Sequence, residues 1–225
     1  EGIFASGLFA MTQLFVAMTP SQMLYFVNPG PEGTFNKDYY FQWADFNNEP
    51  ICEWYRICET FLSIPMAHQL IGFYTVADSS DGCLKVLRSY QYYAANEISQ
   101  KVQRTHWDEV DNHGGYIWHT TGSGKTLTSF KAAQLASKLP YIEKVLFVVD
   151  RKDLDYQTMK EYNRFEEGAA DSNTSTSVLQ RQLENKDKNG GYHDYRIIIT
   201  TIQKLSIFIQ KNKNHPIFQQ RVVII

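Results

Sequence analysis

The five residues Gly122-Ser-Gly-Lys-Thr126 combine types and spacing that suit one chemistry, the binding of a triphosphate. Glycines let successive backbone N–H groups point at a phosphate without side-chain obstruction. A helix starting at that point adds the positive end of its dipole. Lys125 then brings a point charge to the β and γ phosphates, and Thr126 brings a hydroxyl to the accompanying Mg²⁺. These roles require Gly-Lys-Thr to stand contiguous at a helix start. The general pattern also asks for Gly six residues ahead of Lys125, where His119 stands. A packed histidine in a loop that opens outward accommodates that departure.

The elements that must position this loop are legible on either side. The run Gly115-Tyr-Ile-Trp-His-Thr-Thr121 ahead of it reads as a strand, and 125–138 behind it reads as a helix. Beyond Gly115 the pattern alternates. Strands are expected at Tyr116–His119, Val145–Val149, Arg196–Thr200 and Val222–Ile225, with helices at 125–138, 151–165 and 202–211. Continuous apolar strands separated by helices predict an α/β fold with a parallel sheet covered on both faces. The polar stretch from Glu166 to His193 reads as a surface excursion around a short helix, Val178–Leu183.

Further candidate contacts are arranged around the loop. Gln91 lies on an upstream helix and offers a carboxamide that can pair with the N6/N7 edge of adenine. Arg151 and Gln157 follow the second strand, and Thr200 and Thr201 end the third. Basic groups and hydroxyls at helix starts on the C-terminal edge of a parallel sheet suit a DNA backbone. Taken one at a time, Thr200 is as well explained as a helix cap and Arg151 as a surface charge. A GTPase base-reading motif is missing, because Asn36-Lys37-Asp38 and Asn185-Lys186-Asp187 lack its spacing. The signature of transport ATPases is also missing.

The region before Gly115 predicts a hairpin over 14–27 centred on Pro20-Ser21. Helices are expected over 50–64, from Pro65 to about Val76, and over 86–102, with a turn at Asp78–Gly82. The aromatic run Asp38–Phe46 reads as a small satellite core. The 225 residues carry a formal net charge of −2, so charge lends no support to nucleic-acid binding. Cys52, Cys58 and Cys83 form neither a disulfide framework nor a zinc motif, which points to a reducing, cytoplasmic setting. The apolar stretch Gly7–Val16 is too short to span a membrane.

Gln91-x-Tyr-Ala-Ala, Gly115-Tyr-Ile-Trp-His-Thr-Thr-Gly-Ser-Gly-Lys-Thr126, Val148–Gln157 and Thr200-Thr-Ile-Gln-Lys-Leu205 resemble the superfamily 2 helicase motifs in the motor (R) subunit of type I restriction enzymes. Asn28–Thr34, Trp43–Asn47 and Ile64–His68 are similar to that family as well, so the resemblance covers nearly the whole chain. His119-Thr-Thr, odd against the general pattern, is similar to that family's own form of the loop. The resemblance implies the end of an endonuclease domain over 1–48, a helical linker over 49–82, and a RecA-like motor lobe over 83–225. It implies ATP and Mg²⁺ as cofactors, with Thr121 to Thr126 and Gln91 binding the nucleotide and Lys125 serving the ATPase. It also implies duplex DNA as substrate, methylase and specificity subunits as partners, translocation, and cleavage at a distance. The family's Asp-Glu box is expected just past Ile225, and its nuclease carboxylates before Glu1. A chain with those limits is expected to be inactive alone. Glu184-Asn-Lys186 has the letters of a nuclease motif but sits in a polar run. The alternatives are another superfamily 2 DNA or RNA helicase, or a non-catalytic module with a vestigial loop.

Overall fold

The computed structural model describes residues 4–30, 37–79, 82–107, 114–150, 152–168 and 170–225. The chain divides into two compact units, one ending at Asn96 and the other running from Glu97 to Ile225.

The first unit opens with the hairpin β1 (Leu14–Thr19) and β2 (Gln22–Val27), paired antiparallel with Thr19 opposite Gln22. The expected Pro20-Ser21 turn stands between them. Two short helices follow, α1 (Trp54–Glu59) and α2 (Ile64–Gly72). The expected continuation of α2 to Val76 gives way to a second antiparallel hairpin, β3 (Thr75–Asp78) and β4 (Cys83–Val86). The helix stops at Gly72, and β-branched Thr75 and Val76 start a strand that buries Val76. Gly82 at φ 66° then completes the turn. Helix α3 (Ser89–Arg104) starts three residues later than expected, with Val86 ending β4.

Of the aromatic run, Trp43 enters a core, while Tyr39 and Phe46 stay exposed. Trp43 is buried, with its ring 5.1 Å from Phe61 and 5.5 Å from Tyr92. Tyr25 is fully buried, and its hydroxyl donates to the Leu87 carbonyl at 3.2 Å. Burial pushes the Tyr25 phenol well above its ordinary range.

The second unit contains α4 (Lys125–Ser137), β5 (Lys144–Val149), α5 (Lys152–Phe165), β6 (Asp171–Ser172), α6 (Thr176–Leu183), β7 (Ile197–Thr201), α7 (Ile202–Lys211) and β8 (Val222–Ile224). The strands form a parallel sheet in the order β6-β7-β5-β8. Side chains alternate across it, as strand geometry requires. Leu146 and Ile198 pack with Leu179, Leu183, Phe208 and Ile217 under α6 and α7. On the opposite face Phe147 meets Tyr162 of α5 at 5.5 Å, and Tyr162 meets Phe130 of α4 at 5.1 Å. Ala132, Ala133 and Ala136 are all buried, so α4 presents small side chains to the layer it covers. Helices on both faces of a parallel α/β sheet are as expected. The predicted strand Tyr116–His119 is not one. Residues 114–120 have no ladder partner among the described residues, and Tyr116 and Trp118 are 90% and 88% exposed.

Candidate phosphate-binding loop

Two left-handed glycines shape the loop. Gly122 has φ 79° and Gly124 has φ 77°, a conformation that costs any other L-residue strain. A Cβ built on Gly122 would meet nothing within 4 Å, so backbone geometry alone demands glycine there. Gly124 caps α4 without any side-chain hydrogen bond, which leaves first-turn N–H groups directed out of the helix. Lys125 and Thr126 occupy the first two helical positions.

The Thr120 carbonyl gathers the loop together. It accepts from Lys125 Nζ at 2.9 Å, from Ser123 Oγ at 2.8 Å and from Ser123 N at 3.4 Å. One internal partner leaves the Lys125 ammonium with further donors for an incoming anion. The Thr126 hydroxyl has no partner among the described residues. Burial and then the Lys125 charge lower the His119 pKa, which favours the neutral ring beside the loop. An open hydroxyl and an ammonium with spare donors, both at an uncapped helix start, fit a triphosphate with its Mg²⁺. Among the described residues no cluster of His, Cys, Asp and Glu could hold a metal by itself.

The rest of α4 is fixed from both sides. Tyr162 donates to Ser129 Oγ at 3.0 Å. At the far end, the Arg196 guanidinium donates to the Ser137 carbonyl and, at 3.5 Å, to that of Leu139. A cation on the last carbonyls complements the helix dipole. Lys131, on the same helix, is buried and donates to Gln134 Oε1 at 2.7 Å. The signal for Arg196 was available in the sequence, as a charge at the head of an apolar strand, but its target carbonyls were not.

The other expected contacts have varied positions. Gln91 belongs to the first unit and is buried. Its Oε1 accepts from the Arg88 backbone N–H at 2.9 Å, reaching back over the first turn of α3 as a capping side chain does. Arg151 lies outside the described residues. Gln157 is exposed on α5. Thr200 and Thr201 are fully buried, and their hydroxyls face inward. Thr200 donates to Asn173 Oδ1 at 3.0 Å, and Thr201 Oγ1 accepts from Lys204 N at 3.3 Å as the N-cap of α7. Of the DNA-contact candidates with a described side chain, Gln157 alone faces solvent. Glu184 stands in a turn, not on a strand. It takes Lys186 Nζ at 2.7 Å and Gln180 Nε2 at 2.8 Å, contacts that hold its carboxyl down to about 2.

Residues 90–225 match the family described as SWI2/SNF2 ATPase. A relative from Mycoplasma pneumoniae, the C-terminal part of the putative type I restriction enzyme MpnIIP endonuclease subunit, is 37% identical over 191 residues, which covers 82% of this chain and 90% of that relative. The chain belongs to the type I restriction enzyme endonuclease subunits. The SauCOLORF180P endonuclease subunit of Staphylococcus aureus is 39% identical over 215 residues, or 96% of this chain. The chain spans 21% of the length of that relative. A nuclease-deletion mutant of the type ISP restriction-modification enzyme LlaGI, in complex with a DNA substrate mimic, is similar at 21% identity with a TM-score of 0.44, over 59% of this chain and 14% of that one. Among the described residues of this type I family member, no helix is long and apolar enough to cross a membrane.

Proposed function

We propose that Gly122–Thr126 is the ATP site of a motor that translocates duplex DNA, and that the intact protein cleaves that DNA away from its recognition sequence. The observation that carries this reading is the uncapped start of α4, where two left-handed glycines precede Lys125 and Thr126. Lys125 holds the β and γ phosphates as a point charge, and Thr126 contributes its hydroxyl to Mg²⁺. Bound ATP supplies the free energy of hydrolysis. The residues of this chain supply binding, orientation and charge compensation. Thr121 and Ser123 line the approach, and neutral His119 adds no second positive charge beside Lys125.

Membership in the endonuclease-subunit family supports DNA as the substrate, with methylase and specificity subunits as partners in a cytoplasmic complex. Residues 83–225 are assigned to a motor lobe, 49–82 to a linker and 1–48 to the end of a nuclease domain. Gln157 on α5 is retained as a contact to the DNA backbone, together with Arg151. Gln91 fixes the first turn of α3 through the Arg88 N–H.

The test is Lys125→Ala in the intact protein with its partner subunits. Loss of both ATP hydrolysis and DNA cleavage, with the fold retained by circular dichroism, is expected. Unchanged hydrolysis would show that the loop is vestigial and the reading wrong.

A further inference from the structure

Beside the edge strand β6 lies a cavity of about 280 Å³ that the phosphate-binding loop does not use. Arg181 of α6 and Lys186 and Lys188 of the following turn line it, with Ser172 and Thr174 from the β6 side. Asp171 is the acid in that lining.

Arg181 is half-buried, and among the described residues its guanidinium makes no hydrogen bond or ion pair. Lys188 is likewise unpaired and exposed. Lys186 is already neutralised by Glu184 at 2.7 Å and contributes little further. A partly desolvated guanidinium that makes no ion pair is costly, and it presents a planar fork of donors suited to phosphate oxygens. The Ser172 and Thr174 hydroxyls have no partner among the described residues either.

The walls are already set. Gln182 Nε2 donates to the Ser172 carbonyl at 2.8 Å, and Asn173 Nδ2 donates to that of Ile199 at 3.0 Å, so the β6 side is tied to the core. Lys188 stands on a turn in which Asp187 Oδ1 accepts from Asn189 N at 2.7 Å and Gly191 N at 2.8 Å. A fixed backbone around the cavity lowers the ordering cost of binding. The volume falls just under the roughly 300 Å³ at which small-molecule sites begin, which suits one phosphate and part of its ester more than a whole cofactor.

We infer that this cavity takes a phosphate group through Arg181 and Lys188, and that in the intact protein the group belongs to the DNA backbone. The second clause rests on the reading of the protein as a DNA motor. The test is the double variant Arg181→Gln/Lys188→Gln of the intact protein, titrated with duplex DNA across a salt series and separately with orthophosphate. ATP binding serves as the control for folding and should not change. DNA affinity should fall about tenfold at low salt, and the slope of log K against log salt should shrink by about 0.9, the share of one phosphate. Asp171→Asn should move DNA affinity the other way, because it removes the opposing charge. Orthophosphate bound by the wild type and lost in the variant, with DNA affinity and slope unchanged, would overturn the DNA assignment in favour of a free anion. No change with either ligand would overturn the site altogether. A wild type that binds orthophosphate here but no DNA would leave the phosphate site standing and sink the motor reading.

Discussion

Replacing Gly122 with alanine isolates the contribution of backbone shape to the phosphate-binding loop. Gly122 sits at φ 79°, where an L-residue with a Cβ costs about 1–2 kcal/mol. The added methyl would meet nothing within 4 Å, so no steric clash enlarges that figure. The loop is exposed, and the alanine variant can relax it towards negative φ with little effect on the packed sheet. Binding phosphate must then drive the residue back. At about 1.4 kcal/mol per tenfold, the strain converts to roughly 5–30-fold weaker ATP binding. Thermal stability should move by under about 1 kcal/mol, because alanine also lowers the entropy of the unfolded chain. Isothermal titration with ATP·Mg²⁺ and a melting curve on the same sample check both numbers. Gly122→Asn should recover most of the affinity, since asparagine tolerates the left-handed region. Equal losses for Ala and Asn would refute the strain argument, and so would a loss far beyond 100-fold, which would mean that a contact with the ligand is at stake.

Three other outcomes follow from the second unit. Phe208→Ala empties a fully buried site among Leu146, Ile198 and Ile217, and should destabilise by about 3–5 kcal/mol in urea. Thr201→Ala removes the N-cap of α7 and should cost about 1 kcal/mol in the same assay. Burial lowers both Lys131 and Lys144 to about 8, below the ordinary lysine range. Between about pH 8 and pH 10 the unfolded chain therefore binds protons that the folded one does not, and stability should rise with pH. Above pH 10 the trend should reverse, because Tyr162 is buried and raised and keeps its proton only in the folded state. The double variant Lys131→Met/Lys144→Met should flatten the rise, as read from urea midpoints between about pH 7.5 and 9.5.

Strong local patterns carried over into the structure. Val145–Val149, the Thr-Thr-Ile run at 200–202 and Gly-Lys-Thr at a helix start are each dictated by neighbours in the chain, and each forms within a residue or two of its expected place. The β3–β4 hairpin was missed because Ile64–Gly72 is helical, and the Tyr-Thr-Val that follows also fits a helical period. Its strands are set by pairing across Gly82, which periodicity within one segment does not report. Tyr116–His119 failed for the complementary reason. A strand needs a ladder, and a run of apolar letters does not provide one. In the loop, residue types were legible and contacts were not: the donors that converge on the Thr120 carbonyl depend on a turn geometry that only the folded chain defines. Thr200 and Thr201 show the same limit. A hydroxyl at a strand end serves DNA or its own core equally well on paper, and burial by the side chains around Asn173 decided for the core.

The Arg196 grip on the end of α4 also has a mechanical meaning. A helix of 13 residues is a rod of about 20 Å. One tip carries Lys125, and the other is clasped by a residue one step ahead of β7. The clasp ties α4 to the root of β7, and β7 runs straight into α7 at Thr201. Gln203 on α7 in turn holds the Asp150 carbonyl at 3.0 Å, just beyond β5. The guanidinium thus links the helix behind the candidate loop, through β7, to the sheet edge where α7 begins; under the proposed function, a pull by a nucleotide on Lys125 would reach that edge along this path.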